Sequence, residues 1–180
     1  MSDPTIRIAG VIRQSIVDGP GLRFVVFTQG CPHGCPGCHN PDTHDFAGGY
    51  DCAVSKILHE IDRNPLLKGL TLSGGEPFCR AGELLPLARA VRERGKDIWC
   101  YSGYRLEELF ALSHKDTDVF ELLHLLDVLV DGRFVEAEKD LTLRFRGSRN
   151  QRVLDVHRSL ESDSPILLES GDRGQSSEQR

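Results

Sequence analysis

No stretch of this 180-residue sequence approaches the roughly 20 consecutive apolar residues that cross a bilayer, so no membrane span is expected. Positive charge is also scarce: 22 Lys and Arg against 27 Asp and Glu leave a formal net charge of −5. A protein that binds nucleic acid by neutralising phosphates needs the opposite balance, and a nucleic-acid partner is not expected. The opening MSDPTIRIAG has neither a basic nor an apolar leader segment, so a signal peptide is not expected either. There is no internal repeat. The expected location is the cytoplasm, where thiols stay reduced. Six cysteines stand against these absences, and in a reducing compartment they point to metal or redox chemistry more than to disulfides.

The length suits one domain with its own core, and the 39% hydrophobic and 27% charged fractions are those of a globular chain. LRFVVFTQG, residues Leu22–Gly30, is an apolar, β-branched and aromatic run that predicts a buried strand leading into the densest cysteine segment. Val54, Ile57, Leu58 and Ile61 recur at helical spacing and predict a helix over Ala53–Arg63. A short strand over Gly69–Leu72 follows, then a helix marked by Leu84, Leu87, Ala88 and Val91 that stops at Gly95. DIWCYSG predicts a third strand, Arg105–Leu112 and Val119–Leu126 two helices, VLVDGRF a fourth strand and QRVLDV a fifth. Strands alternating with helices imply βαβ units and a mainly parallel sheet. A complete eight-fold barrel takes about 250 residues, so the expected fold class is α/β, a partial, open barrel covered by helices. Residues 1–160 are expected to form that domain. Residues 161–180 read as a disordered polar tail, with PILL as a weak docking segment at most.

GCPHGCPGCHNPDT carries Cys31, Cys35 and Cys38 with spacing C-x₃-C-x₂-C. Two readings stay open on spacing alone. With His33 or His39 as fourth ligand the loop closes a structural Cys₃His zinc site. Without a fourth ligand it holds an iron–sulfur cluster with one open iron, and an open position marks a catalytic metal site. Gly30, Gly34 and Gly37 let backbone amides approach an inorganic core, while Pro32 and Pro36 stiffen the path.

TLSGGEPF places Gly74, Gly75 and Glu76 where a strand ends and a helix begins, the edge at which parallel sheets bind ligands. The glycine pair opens backbone groups to a ligand, and Glu76 offers a carboxylate to an ammonium. Together, C-x₃-C-x₂-C and GGEP resemble the radical S-adenosylmethionine superfamily. SIVDGPGLRFVVFTQGCPHGCPGCHNPDT is similar to the opening of its glycyl-radical-enzyme activases. GKDIWCYSGYRLEEL, VLVDGRF and LRFRGSRNQRVLDV resemble the branch that serves anaerobic ribonucleoside-triphosphate reductase. The resemblance runs from about Ile8 to Val156.

That resemblance implies a 4Fe–4S cluster on Cys31, Cys35 and Cys38, with S-adenosylmethionine on the open iron. It implies reductive cleavage to methionine and a 5′-deoxyadenosyl radical, which takes hydrogen from a glycine of the partner reductase. A flavodoxin or ferredoxin is implied as electron donor. Gly74, Gly75 and Glu76 are expected at the methionine end of the cofactor, and Gly37 and His39, flanking Cys38, near its adenine. Ser102 and Asp131 are expected as further cofactor contacts. Asp18 and Arg23 either line the partner's entrance or form a turn and a salt bridge.

Other features have plainer expectations. Cys52, Cys79 and Cys100 lack ligand spacing and read as packed or idle thiols. The remaining histidines are scattered, with surface or structural roles as the default. RFRGSRNQR is either a loop with ordinary ion pairs or a contact surface for the partner or the cofactor carboxylate. The competing functions are activation of another glycyl-radical enzyme such as pyruvate formate-lyase, a small radical enzyme acting on a metabolite, and a non-catalytic zinc or redox-sensing module.

Overall fold

The computed structural model describes residues 3–169. Seven strands form one open sheet: β1 (Thr5–Ser15), β2 (Leu22–Thr28), β3 (Tyr50–Ala53), β4 (Leu67–Gly74), β5 (Asp97–Ser102), β6 (Val128–Asp131) and β7 (Arg152–Asp155). Their order is β3-β1-β2-β4-β5-β6-β7. The central four, β2, β4, β5 and β6, are parallel; β1 and β7 run against them, and the edge strand β3 pairs antiparallel with β1. The sheet does not close, in agreement with an open partial barrel.

Five helices, α1 (Val54–Asp62), α2 (Ala81–Glu93), α3 (Leu106–Ser113), α4 (Thr117–Leu125) and α5 (Val156–Ser162), follow the strands they connect. None of the described helices is long and apolar enough to cross a membrane. Strand alternation divides the sheet into two faces. Ile6, Ile8, Val26, Leu70, Leu72, Ile98, Cys100 and Leu129 pack with Ile57, Ile61, Leu84, Leu87, Val91 and Leu122 in the main core. Each fully buried leucine there contributes about 1.5–3 kcal/mol of transfer free energy. The opposite face is the barrel interior, where Trp99, Val128 and Val130 make a small apolar floor with Tyr101, Phe145 and Val153 against it.

Two strands escape the sequence patterns. β1 keeps alternation at Ile6 and Ile8, but register shifts between Ile8 and Gly10 and between Ile12 and Ser15 break the period. β3 has four residues, of which only Cys52 is buried. Residues 161–169 of the expected tail are ordered against the sheet. α5 reaches Ser162, and beyond it Asp155 N donates to Ile166 O and Leu168 N to Val153 O, which lays PILL along β7. Leu168 completes the apolar floor. The rest of the expected tail lies outside the described residues.

Candidate functional site

β2 delivers the chain at the carboxyl edge of the parallel strands, and the cysteine loop is tied down there by its backbone. Gly30 N donates to Thr43 O at 2.8 Å, Cys31 N to His44 O at 3.1 Å, and Cys38 N to Cys35 O at 3.2 Å. Gln29 Nε2 reaches Asp42 O and Asp45 O from below. Arg80 clamps the far side, donating to Gln29 O and Phe46 O with its guanidinium 5.7 Å from the Phe46 ring centre. At Gly37, φ is +71°, and an added Cβ would press on the Glu136 carboxylate at 3.0 Å. The left-handed φ favours glycine there, whereas the exposed Glu136 side chain could swing aside.

The Gly74–Gly75 turn closes on this loop. Gly75 N donates to Thr28 O and Glu76 N to Gly30 O, each at 2.8 Å. A side chain on Gly75 would collide with the Gly30 carbonyl, and one on Gly74 with the Phe27–Thr28 backbone. Two glycines therefore let the strand end and the cysteine loop touch backbone to backbone. Between them opens a cleft of ≈ 520 Å³, lined by Cys31, Cys35 and Cys38 on one side, Gly74 and Gly75 on another, and Tyr101, Phe134 and Phe145 further in. That volume lies in the range of cofactor sites.

Glu76 is not among the residues that line the cleft. Its carboxylate is fully buried and turns away from the cleft. Oε1 accepts from Phe78 N at 3.1 Å and Ser102 Oγ at 2.9 Å; Oε2 accepts from Gly103 N at 2.8 Å and pairs with His33 Nε2 at 2.8 Å. The side chain thus buckles the cysteine loop, its own turn and the end of β5 together. Ser102 lines the cleft, but its hydroxyl is spent on Glu76. Asp131 does not reach the cleft. It accepts from Leu106 N at the start of α3 and from Arg152 Nε, and acts as a buried tie. Its neighbour Gly132 does line the cleft.

Asp18 lines the cleft and bonds the Ser15 hydroxyl. Arg23 is not at an entrance. It is fully buried beneath the cleft, donating to Thr71 Oγ1 at 2.7 Å and Leu70 O at 2.8 Å, paired with Asp97 at 2.6 Å, its guanidinium 5.6 Å from the Trp99 ring centre. His39 and His44 both line the cleft; His39 packs against Phe134 with centroids 5.1 Å apart and ring planes tilted at 46°. Cys52 and Cys100 are core residues, and Cys79 is outside the cleft lining. Sequence patterns missed the cleft's aromatic residues. Tyr101 could have been found from its i+2 relation to Trp99 on one face of β5; Phe134 and Phe145 lie inside VLVDGRF and LRFRGSRNQRVLDV, which carry the resemblance, but no periodicity singles them out.

The donor set fits a cluster with three protein ligands. All three thiols open onto one cleft, with no fourth thiol among its lining residues. His33 is held by Glu76 and by the edge of Tyr104, 4.6 Å away. Burial pushes the Cys31 thiol up, opposed by the His33 amide and reinforced by the Glu76 carboxylate. A coordinating metal reverses that balance by taking the thiolate.

Residues 17–154 match the family model described as a 4Fe-4S single cluster domain. The chain is 38% identical over 146 residues to the anaerobic ribonucleoside-triphosphate reductase-activating protein of Escherichia coli (strain K12), covering 77% of this chain and 91% of that protein. The protein of the same name from Haemophilus influenzae is 36% identical over 146 residues, covering 77% and 90%. That from Enterobacteria phage T4 is 36% identical over 145 residues, covering 76% and 86%.

Proposed function

From the premise that this chain belongs to the family of anaerobic ribonucleoside-triphosphate reductase-activating proteins, with its 4Fe–4S single cluster domain, we propose that it activates such a reductase as a radical S-adenosylmethionine enzyme. Cys31, Cys35 and Cys38 hold the cluster, and S-adenosylmethionine takes the position they leave open. When bound, the reduced cluster would supply one electron to the cofactor's S–C5′ bond, giving methionine and, once a hydrogen atom is taken from a glycine of the reductase, 5′-deoxyadenosine and a glycyl radical. The observation that carries this proposal is the meeting of three thiols and the Gly74–Gly75 backbone on one cleft with no fourth protein thiol.

The chain's own residues bind, orient and exclude. Gly74 and Gly75 present backbone to the methionine end, where a side chain would force the two loops apart. Gly37 and His39 lie toward the adenine from the cysteine-loop side, with Phe134 against His39 from the loop after β6. Glu76 and Ser102 hold these elements in register. Asp131 acts one layer further out, by fixing α3 and Arg152. The apolar floor around Trp99 keeps water from the inner cleft. A flavodoxin or ferredoxin supplies the electron, and the protein works in the cytoplasm.

The test is anaerobic. The protein is reconstituted with iron and sulfide, reduced with dithionite, and assayed for 5′-deoxyadenosine from S-adenosylmethionine and for a glycyl radical on added reductase. Both products are expected, and both are expected to vanish in Cys35→Ala. Stoichiometric zinc with no cleavage overturns the proposal.

A further inference from the structure

Phe145 stands in the left-handed region with φ +61°, a conformation that bulky aromatic residues rarely adopt. Its ring lies edge-on to Trp99, centroids 5.3 Å apart and planes at 76°, and the Arg144 guanidinium sits 5.2 Å from the ring's centre. Trp99 is only 3% exposed and belongs to the barrel floor. Phe145 therefore reaches from a surface loop across the open side of the barrel into the cleft that the thiols share.

The loop is firm at its ends and loose at its tip. Lys139 and Ser148 pair as an isolated bridge, Arg149 N donates to Glu138 O, and Gln151 Oε1 accepts from Gly147 N and Ser148 N. Among the described residues, every hydrogen bond made by residues 141–146 stays inside the loop. Leu141 at the tip is 85% exposed, and Val17, on the turn that also lines the cleft, is 71% exposed. A strained aromatic, few external hydrogen bonds at the tip and exposed aliphatic groups are the marks of a segment held chiefly by the packing of Phe145 on the Trp99 floor and able to leave it.

The geometry points to the Leu141–Phe145 segment as a displaceable plug: Phe145 fills the inner cleft in the free protein, and the glycine-bearing segment of the reductase takes its place against Trp99. This rests on the reductase being the partner. A plug explains how an open barrel keeps water and stray hydrogen donors out until the protein substrate arrives, and why a bulky residue holds a backbone position that glycine would hold without strain.

Trp99 is the only tryptophan of the chain, so it reports on its neighbour directly. Protein labelled with 5-fluorotryptophan gives one fluorine resonance, and unlabelled reductase adds none. Adding reductase is expected to shift that resonance in the wild type. In Phe145→Gly, which keeps the loop's φ while removing the ring, the resonance is expected to be displaced before any partner is added, and to move less on addition. The same variant is expected to bind reductase several-fold more tightly, because nothing has to be expelled. Reductase that associates with the wild type and acquires its glycyl radical while the Trp99 resonance stays fixed overturns the plug and leaves the proposed function standing. Absence of both association and glycyl radical overturns the proposed function, and the plug with it.

Discussion

His33 Nε2 lies 2.8 Å from Glu76 Oε2, in a pair whose side chains are 4% and 0% exposed. This contact joins the cysteine loop to the end of β4. Because the same carboxylate also receives Phe78 N, Ser102 Oγ and Gly103 N, one buried side chain sets the distance between the thiols and the glycine turn that faces them.

Glu76→Gln tests that role with little change of volume. An amide nitrogen in place of Oε2 leaves the Gly103 N–H without an acceptor, and an unsatisfied buried donor costs about 1–3 kcal/mol. Urea denaturation of the metal-free protein should show a loss of that size, with a larger loss for Glu76→Ala. The number of irons taken up on reconstitution should fall in parallel. An unchanged midpoint with normal iron uptake would mean that the carboxylate does not hold the loop.

The Gly74–Gly75 turn makes a sharper prediction, because the added atom meets backbone, which cannot rotate aside. In Gly75→Ala the methyl group is driven against the Gly30 carbonyl, and overpacking of this kind costs about 1–3 kcal/mol. Gly10→Ala is the matched control, since its Cβ would find nothing within 4 Å. Thermal denaturation should separate the two variants clearly, and iron uptake should suffer only at position 75. Equal behaviour would remove the close approach as the reason for glycine.

Much of this was legible in the sequence because it depends on local pattern. The parallel centre, α1, α2 and the position of the cysteine loop follow from periodicity and from Cys31, Cys35 and Cys38 themselves. What escaped depends on distant partners. For Arg23 the sequence leaves an entrance residue and a salt bridge both open until the sheet places Thr71, Leu70 and Asp97 around it. Glu76 reads like a ligand-facing carboxylate until Ser102, Gly103 and His33 occupy it. β1 failed for another reason: its bulges break the alternation that identifies a strand. Phe134 and Phe145 sit in a loop without period, so only tertiary structure brings them to the cleft.

Arg152 links two carboxylates of different exposure, Glu107 on the surface and Asp131 in the interior. Arg152→Gln strands the Asp131 charge, and breaking a buried pair from one side costs about 3–5 kcal/mol. The acid behaviour should change too. The hydrogen bond from Arg152 holds the Glu107 carboxyl down to about 2, below an unfolded value of about 4.3. A depressed carboxylate stabilises the fold above its unfolded pKa, and that contribution drains away as pH falls from about 4.3 toward 2. In the variant this limb should flatten, with only a small amplitude because Glu107 is half-exposed. Stability measured by urea titration across that window decides it; an identical acid limb in both proteins would detach Glu107 from Arg152.

The choice between iron and zinc turns on the fourth ligand. Tetrahedral structural zinc needs one beyond the three thiols. His39 packs against Phe134 with the ring planes tilted at 46°, and His33 engages Glu76 through Nε2, which leaves only its Nδ1 open to a metal and makes that contact part of what holds the loop. A 4Fe–4S cluster makes no such demand, because inorganic sulfide completes most of its coordination and one iron stays open. Anaerobic reconstitution with equimolar zinc present should therefore give about four irons per chain and little zinc, and Cys35→Ser should abolish the iron. His33→Ala is the deciding variant. If His33 closes a zinc site, its loss should weaken zinc retention at least about tenfold, the effect that loss of even a supporting partner has on a metal site. If the thiols serve a cluster, zinc retention should stay weak and unchanged, while iron uptake falls only as far as the loosened loop requires.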